Sequence, residues 1–257
     1  MKTMVRFTAV MITVLFSVQS VGAERMVIKI TNGEWPPFLS ERAPHHGLVS
    51  HIVTEAFKLE DVTVEYGFFP WKRAYVTAQD DDWDASVAWY WTEERNQSFL
   101  FSDPVFIEQQ MVFYLKNKPF EWNTIADLQG KQIGATIGYF YGDPFQKAEE
   151  RGMLQVQRVA TDEQNVKKLL AGRVDVVVMS LQVGTYLLRT QFSSEEMVQI
   201  AYHPQPVNKD ALYVIFPKSH PKSQEWVTIF NRGLGKLKSS GQVDRFFQEA
   251  LDGKYYE

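Results

Sequence analysis

The 257-residue chain carries 27 lysines and arginines against 31 aspartates and glutamates, with 45% apolar residues, 14% aromatic residues and no cysteine. Without thiols there is no disulfide framework, no thiolate metal centre and no lipid-modified N-terminal cysteine. The mildly acidic balance has no basic patch and argues against a nucleic-acid partner.

The first residues read as an export signal. Lys2 and Arg6 precede an apolar run from Phe7 to Val18, and Val21-Gly22-Ala23 supplies the small residues that a signal peptidase reads. The run is shorter than the roughly 20 residues of a membrane span, although an uncleaved anchor would have a similar pattern. Cleavage after Ala23 leaves 234 residues, and loss of Lys2 and Arg6 leaves 25 basic against 31 acidic residues. That length suits two modest lobes better than one core.

Short β-like runs then alternate with helical periodicity, the pattern of α/β lobes built on parallel sheets. Met26 to Thr31 is a strand, followed by an extended loop that Pro36-Pro37 keeps non-helical. Leu48, Ile52, Ala56 and Phe57 share a helical stripe, Val62 to Phe69 alternates as a strand, and Pro70 starts a helix. Asp84 to Trp89 and Gln110 to Leu115 are strands, and the pattern restarts past Lys116-Asn117-Lys118-Pro119. Gln132 to Thr136 is a strand, Ile137-Gly138-Tyr139 a turn, Asp143 to Arg151 a helix and Leu154 to Val159 a strand. Thr161 and Gln164 have capping-box spacing, and Val174 to Met179 reads as a central strand covered on both faces. Val198 to Tyr202 is a further strand candidate, His203-Pro204-Gln205-Pro206 breaks the pattern, and Ala211 to Phe216 resumes it. Two helical stripes, Trp226 to Leu237 and Val243 to Leu251, close the chain.

Several constellations carry little chemistry. His45, His46 and His51 lack a carboxylate at ligand spacing and read as a solvated loop, so no metal is expected. Asp80-Asp81-Asp82 lacks the spaced ligands of a calcium loop and reads as a turn. No histidine–serine pair suggests a nucleophile, and no glycine-rich phosphate loop or cofactor motif is present. Arg95, taken alone, reads as a surface arginine paired with Glu93 or Glu94.

The order of four passages resembles the family 3 extracellular solute-binding proteins, the receptors of polar amino acid ABC importers. They are Thr31 to Phe38; Asp84-Ala85 through Thr92-Glu93-Glu94-Arg95 to Phe99–Pro104; Asp127 to Gly134; and Leu170 to Asp175. Asn231, Leu237 and Ser240-Gly241 extend the similarity to the tail. The resemblance implies the two-lobe, type II periplasmic binding protein fold, with lobe 1 formed by 24–115 plus 207–257 and lobe 2 by 116–206. A two-crossover hinge and a ligand cleft would lie between them. It also implies a periplasmic, monomeric, non-catalytic protein that captures a small molecule for a membrane permease.

By that resemblance, Arg95 clamps a ligand carboxylate, for which a guanidinium offers two parallel donors. Trp35 and Trp71 match positions whose rings sandwich a ligand side chain, and Tyr90 matches a further contact, beside Glu34. Trp89 and Trp91 flank Tyr90, and all three cannot face one cleft from an extended strand. In lobe 2, Tyr139 and Phe140 stand where relatives use small hydroxyl residues. Ser180 stands where amino-acid-binding relatives place an aspartate for the α-ammonium, which puts an ordinary α-amino acid in doubt. The expected ligand is therefore a carboxylate with an apolar, aromatic or cationic remainder. Alternatives on the same fold are a lyase or dehydratase, for which Glu34, Glu93 and Asp143 are the candidate acids, and a sensor that docks on a membrane receptor.

Overall fold

The computed structural model describes residues 26–80 and 82–256, so the expected signal segment lies outside the described residues. The first half runs β1 (Met26–Asn32), α1 (Leu48–Lys58), β2 (Val62–Phe68), α2 (Trp71–Thr77), β3 (Ala85–Tyr90), α3 (Glu93–Ser98), β4 (Phe99–Phe101) and β5 (Phe106–Leu115). The second runs β6 (Gln132–Thr136), α4 (Asp143–Glu150), β7 (Gln155–Val159), α5 (Asp162–Leu170), β8 (Val176–Ser180), α6 (Leu181–Gln191) and α7 (Ser194–Met197). β9 (Ile200–Pro217), α8 (Ser223–Ser239) and α9 (Gln242–Leu251) complete it.

The strands form one curled mixed sheet in the order β2-β1-β3-β9-β5-β8-β6-β7, with β4 on β9. β1 lies between parallel β2 and β3, and β6 lies in the same way between parallel β7 and β8. Each triplet meets an antiparallel long strand, β9 or β5, and these two pair with each other. The lobes therefore meet along a two-stranded antiparallel ladder.

Cores lie on both sides of that ladder. Ile28, Ile30, Phe57, Phe230, Leu234 and Phe246 belong to one, under α1, α8 and α9. In the other lobe β8 is covered on both faces: Val176 and Val178 pack with Ile133, Tyr141 and Phe145, whereas Val177 and Met179 pack with Val166 and Leu169. This explains the nearly uninterrupted apolar run. Thr161 Oγ1 accepts from the Gln164 N–H at 3.2 Å, so the capping signal does start α5.

Three readings change. The His203–Pro206 segment does not break the pattern, because β9 is extended without interruption from Ile200 to Pro217. Proline lacks a ladder donor but tolerates extended backbone, and the β5/β9 register shifts at Gln110/Met111 and Met111/Phe113, around Pro206. β5 begins at Phe106 rather than Gln110. His51 is buried on α1 instead of solvated: its ring stacks on His45 at 4.0 Å and Phe246 at 4.1 Å, and its Nδ1 lies 2.7 Å from the Tyr255 hydroxyl.

α6 was not anticipated. It leaves β8 yet packs Val183 and Leu187 into the first core, and Arg189 donates to the Leu251 carbonyl.

Candidate ligand-binding cleft

A cavity of about 810 Å³ opens where β1, β3, β6 and β8 end, the carboxyl edge at which open α/β sheets bind ligands. Its lobe 1 wall is aromatic. Trp35, Trp71, Trp89, Tyr90 and Trp91 all border it, with Trp71 edge-on to Trp35 at 6.4 Å and to Trp89 at 5.3 Å. Gly33 makes this possible, since a Cβ there would stand 2.6 Å from the Trp71 ring.

A bulge arranges the Trp89-Tyr90-Trp91 run. The β3/β9 register shifts between Val87 and Trp89, where Ala88 has φ +65°. Trp89 is buried against Phe99 and Ile215 and bonds Ser86 Oγ through its indole N–H; Tyr90 turns toward the hinge; Trp91 stands exposed at the rim. All three border the cavity because the bulge interrupts simple alternation.

Arg95 follows as the third residue of α3. Thr92 caps that helix, its Oγ1 accepting from the Arg95 N–H at 3.2 Å, which is the physical content of the Thr-x-x-Arg spacing. The guanidinium donates to the Tyr90 carbonyl at 2.9 Å and lies 5.0 Å over the Trp89 ring, so it is held against the wall with donors to spare. No ion pair joins it to Glu93 or Glu94 among the described residues.

The opposite wall is the Ile137–Phe140 loop after β6. Ile137, Tyr139 and Phe140 are exposed and border the cavity. Arg158 anchors this loop by donating to the carbonyls of Thr136 (2.8 Å) and Tyr139 (3.1 Å) while its other nitrogens hold Glu149. Gln110 reaches across from β5 and donates to the Phe140 carbonyl at 2.9 Å. Ser180, buried at the end of β8, also borders the cavity. The structure thus brings Arg95, Trp35, Trp71, Tyr90, Tyr139, Phe140 and Ser180 together. Glu34 does not join them: it is exposed, and its Oε1 accepts from the Glu41 N–H at 2.7 Å.

The floor holds residues the sequence reading missed. Glu108 and Gln110 on β5 and Asp210 on β9 all border the cavity. Glu108 is fully buried; its Oε2 accepts from the Tyr90 hydroxyl at 2.8 Å, and burial pushes its carboxyl up to about 7 despite that bond. Burial raises Asp210 and Tyr90 as well. A signal existed, because Glu108 and Gln110 are two apart and face one way in a strand that also bears Phe106 and Met111–Leu115. Starting the strand at Gln110 hid it.

Among the described residues no group of three or more histidine, aspartate or glutamate side chains is placed to hold a metal, and no helix is long and apolar enough to cross a membrane.

Residues 27–252 match the bacterial extracellular solute-binding proteins, family 3. An arginine-binding periplasmic protein of Mannheimia haemolytica is 21% identical over 95% of this chain and 98% of its own length. A probable histidine-binding protein of Campylobacter jejuni is 22% identical over 62% of this chain, and that match spans 57% of the relative. Among solved structures, a histidine kinase sensor domain similar to periplasmic binding proteins superposes with a TM-score of 0.67 at 18% identity, covering 88% of this chain and 97% of that one. With the family matched along nearly all of its described length and the fold to suit, the chain belongs to the family 3 bacterial extracellular solute-binding proteins.

Proposed function

We propose that this protein is a periplasmic, non-catalytic receptor that captures a small carboxylate-bearing, amino-acid-like solute by lobe closure and presents it to the permease of an ABC-type importer. Lobe 1 is 24–115 plus 207–257, lobe 2 is 116–206, and β5 and β9 are the crossovers between them. The observation that carries the reading is Arg95, held by the Tyr90 carbonyl and the Trp89 ring in the wall of a cavity that also reaches the Ile137–Phe140 loop. A solute bridging both walls favours the closed state, because only that state makes both sets of contacts. The family and its arginine- and histidine-binding relatives support an amino-acid-like solute.

The test is calorimetry after a thermal-shift screen of amino acids, polyamines, aromatic acids and small sugars. Arg95→Ala weakens the hit by roughly two orders of magnitude, as expected when one partner of a buried charge pair is removed. Unchanged affinity in that variant would refute the assignment.

One observation favours a second reading, a lyase or dehydratase on the same fold. Glu108 is a buried cavity carboxyl poised near neutrality, as a general acid requires. Proton NMR of the bound solute over hours separates the two: a receptor returns it unchanged, whereas an enzyme consumes it.

A further inference from the structure

Among the residues that border the cavity, Arg95 is the one side chain with a permanent positive charge, against the carboxylates of Glu93, Glu108, Asp143 and Asp210. Two of these, Glu108 and Asp210, are direct partners across the β5/β9 ladder. Cross-strand partners have Cβ atoms about 5 Å apart, a distance at which like charges oppose each other. Glu108 Oε1 is buried without a hydrogen bond, and so is Oε1 of Gln110, the next residue on the same face. The Ser180 hydroxyl lies close enough to draw the Glu108 carboxyl down, yet it is not in bonding geometry with any partner. Buried acceptors without donors are costly, and this floor holds two, one of them on a carboxyl of the facing pair. A ligand group rich in N–H donors would satisfy them.

We propose that Glu108, backed by Asp210, is the seat of a cationic ammonium or guanidinium group on the solute. It would supply from the hinge floor the negative charge that Ser180, at the end of β8, lacks. The solute is then a zwitterion, with its acid on Arg95 and its cation on the hinge strands. The Arg95 end rests on the reading given above. The cation subsite joins strands of both lobes' ladder, so its occupation also steadies the hinge.

Calorimetry on the full mature chain tests this with three probe classes. The first is L-arginine, L-lysine and L-histidine; the second their decarboxylated forms agmatine, cadaverine and histamine; the third the amine-free acids hexanoate and glutarate. The expected result is a zwitterion that binds wild type and loses roughly 10- to 100-fold in affinity in Glu108→Gln, with a smaller loss in Asp210→Asn. Glu108→Gln preserves the side-chain volume and leaves an amide oxygen to accept from the Tyr90 hydroxyl, and circular dichroism and thermal melting check that it folds. A structural role would not move a second readout: titration near pH 7 in buffers of different ionisation enthalpy, where cation binding releases a proton from wild type and none from Glu108→Gln. If only amine-free acids bind, and Arg95→Ala abolishes them, the cation subsite is wrong and the carboxylate reading stands. If only carboxylate-free amines bind, lost in Glu108→Gln and kept in Arg95→Ala, the subsite stands and the Arg95 reading falls. Zwitterion binding indifferent to Glu108→Gln overturns the proposal, and absence of any binder among the probes overturns both.

Discussion

Glu108 and Asp210 face each other across the ladder formed by the two long strands β5 and β9, and both border the same cavity. The relationship places two carboxyls side by side where the lobes are joined. Burial is the main reason that both hold their protons above the ordinary carboxylate range, with mutual repulsion adding to it for Glu108.

The arrangement has a pH signature in the empty protein. A carboxyl raised from 4.5 to about 7 keeps its proton in the native state after the unfolded chain has lost its own. Native stability therefore falls as pH climbs from about 4.5 to about 7 and levels off above that, by on the order of 3 kcal/mol. The Tyr90 hydroxyl bonds this carboxyl, Asp210 opposes it across the ladder, and Ser180 and the more distant charge of Asp162 also act on it, so the transition belongs to the cluster. His51 has the opposite slope. Burial first, then His45, lowers it from 6.5 to about 4, so stability is lost as pH falls through that window. A bare wild-type profile mixes the two. Urea denaturation of wild type and Glu108→Gln at several pH values separates them. The variant is expected to be the more stable at pH 8, with the gap closing toward pH 4.5; a constant gap would show that Glu108 does not titrate there.

Much of this architecture is legible in the sequence because burial leaves a period. β1 and β6 are legible as strands and β8 to within two residues, whereas Thr92–Arg95 is legible only as a family motif and the helix cap behind it belongs to the fold. The hinge was not legible in the same way. Pro204 and Pro206 locally argue against a strand, and only the paired β5, with its shifted register, shows why an extended chain survives there. Glu108 and Asp210 become neighbours through that pairing alone, so no local pattern joins them. Ser180 puts no charge at the end of β8, and that carboxyls stand instead on β5 and β9 is a property of the folded ladder.

Gly33→Ala tests the aromatic wall. The new methyl would stand 2.6 Å from the Trp71 ring, and a tryptophan in edge contact with Trp35 and Trp89 has little room to retreat. Overpacking of this kind costs about 1–3 kcal/mol. The expected outcome is a lower melting temperature together with weakened solute binding, read by thermal melts with and without the calorimetric hit. Unchanged affinity would place Trp71 outside the ligand contact.

Arg158→Met tests the lobe 2 lip. Arg158 ties the loop carbonyls of Thr136 and Tyr139 to Glu149 and stacks over Tyr141 at 5.4 Å, without itself bordering the main cavity. Methionine preserves much of the stem and removes the charge-assisted bonds, each worth about 1.5–3 kcal/mol when well formed. If the exposed Tyr139–Phe140 lip closes over the solute as proposed, affinity is expected to fall several-fold through faster release, because the loop is no longer held. Stopped-flow dissociation reads this directly, and an unaltered off-rate would mean that the loop is set by Gln110 and Tyr141 alone.

Gly233→Ala separates fold from site. α8 crosses α1 so closely that a Cβ at Gly233 would lie 2.0 Å from the Ala56 carbonyl oxygen, a backbone atom that cannot rotate away. Relief requires moving one helix against the other and opening the core that Phe57, Phe230 and Leu234 fill. The intrinsic helical gain from replacing glycine by alanine, about 1 kcal/mol, is smaller than the cost of such a shift. Chemical denaturation is expected to show a net loss of about 1–2 kcal/mol, while the surviving folded fraction binds solute with wild-type affinity, because neither helix borders the cavity. A variant as stable as wild type would mean that α8 slides over α1 without disturbing the core beneath it.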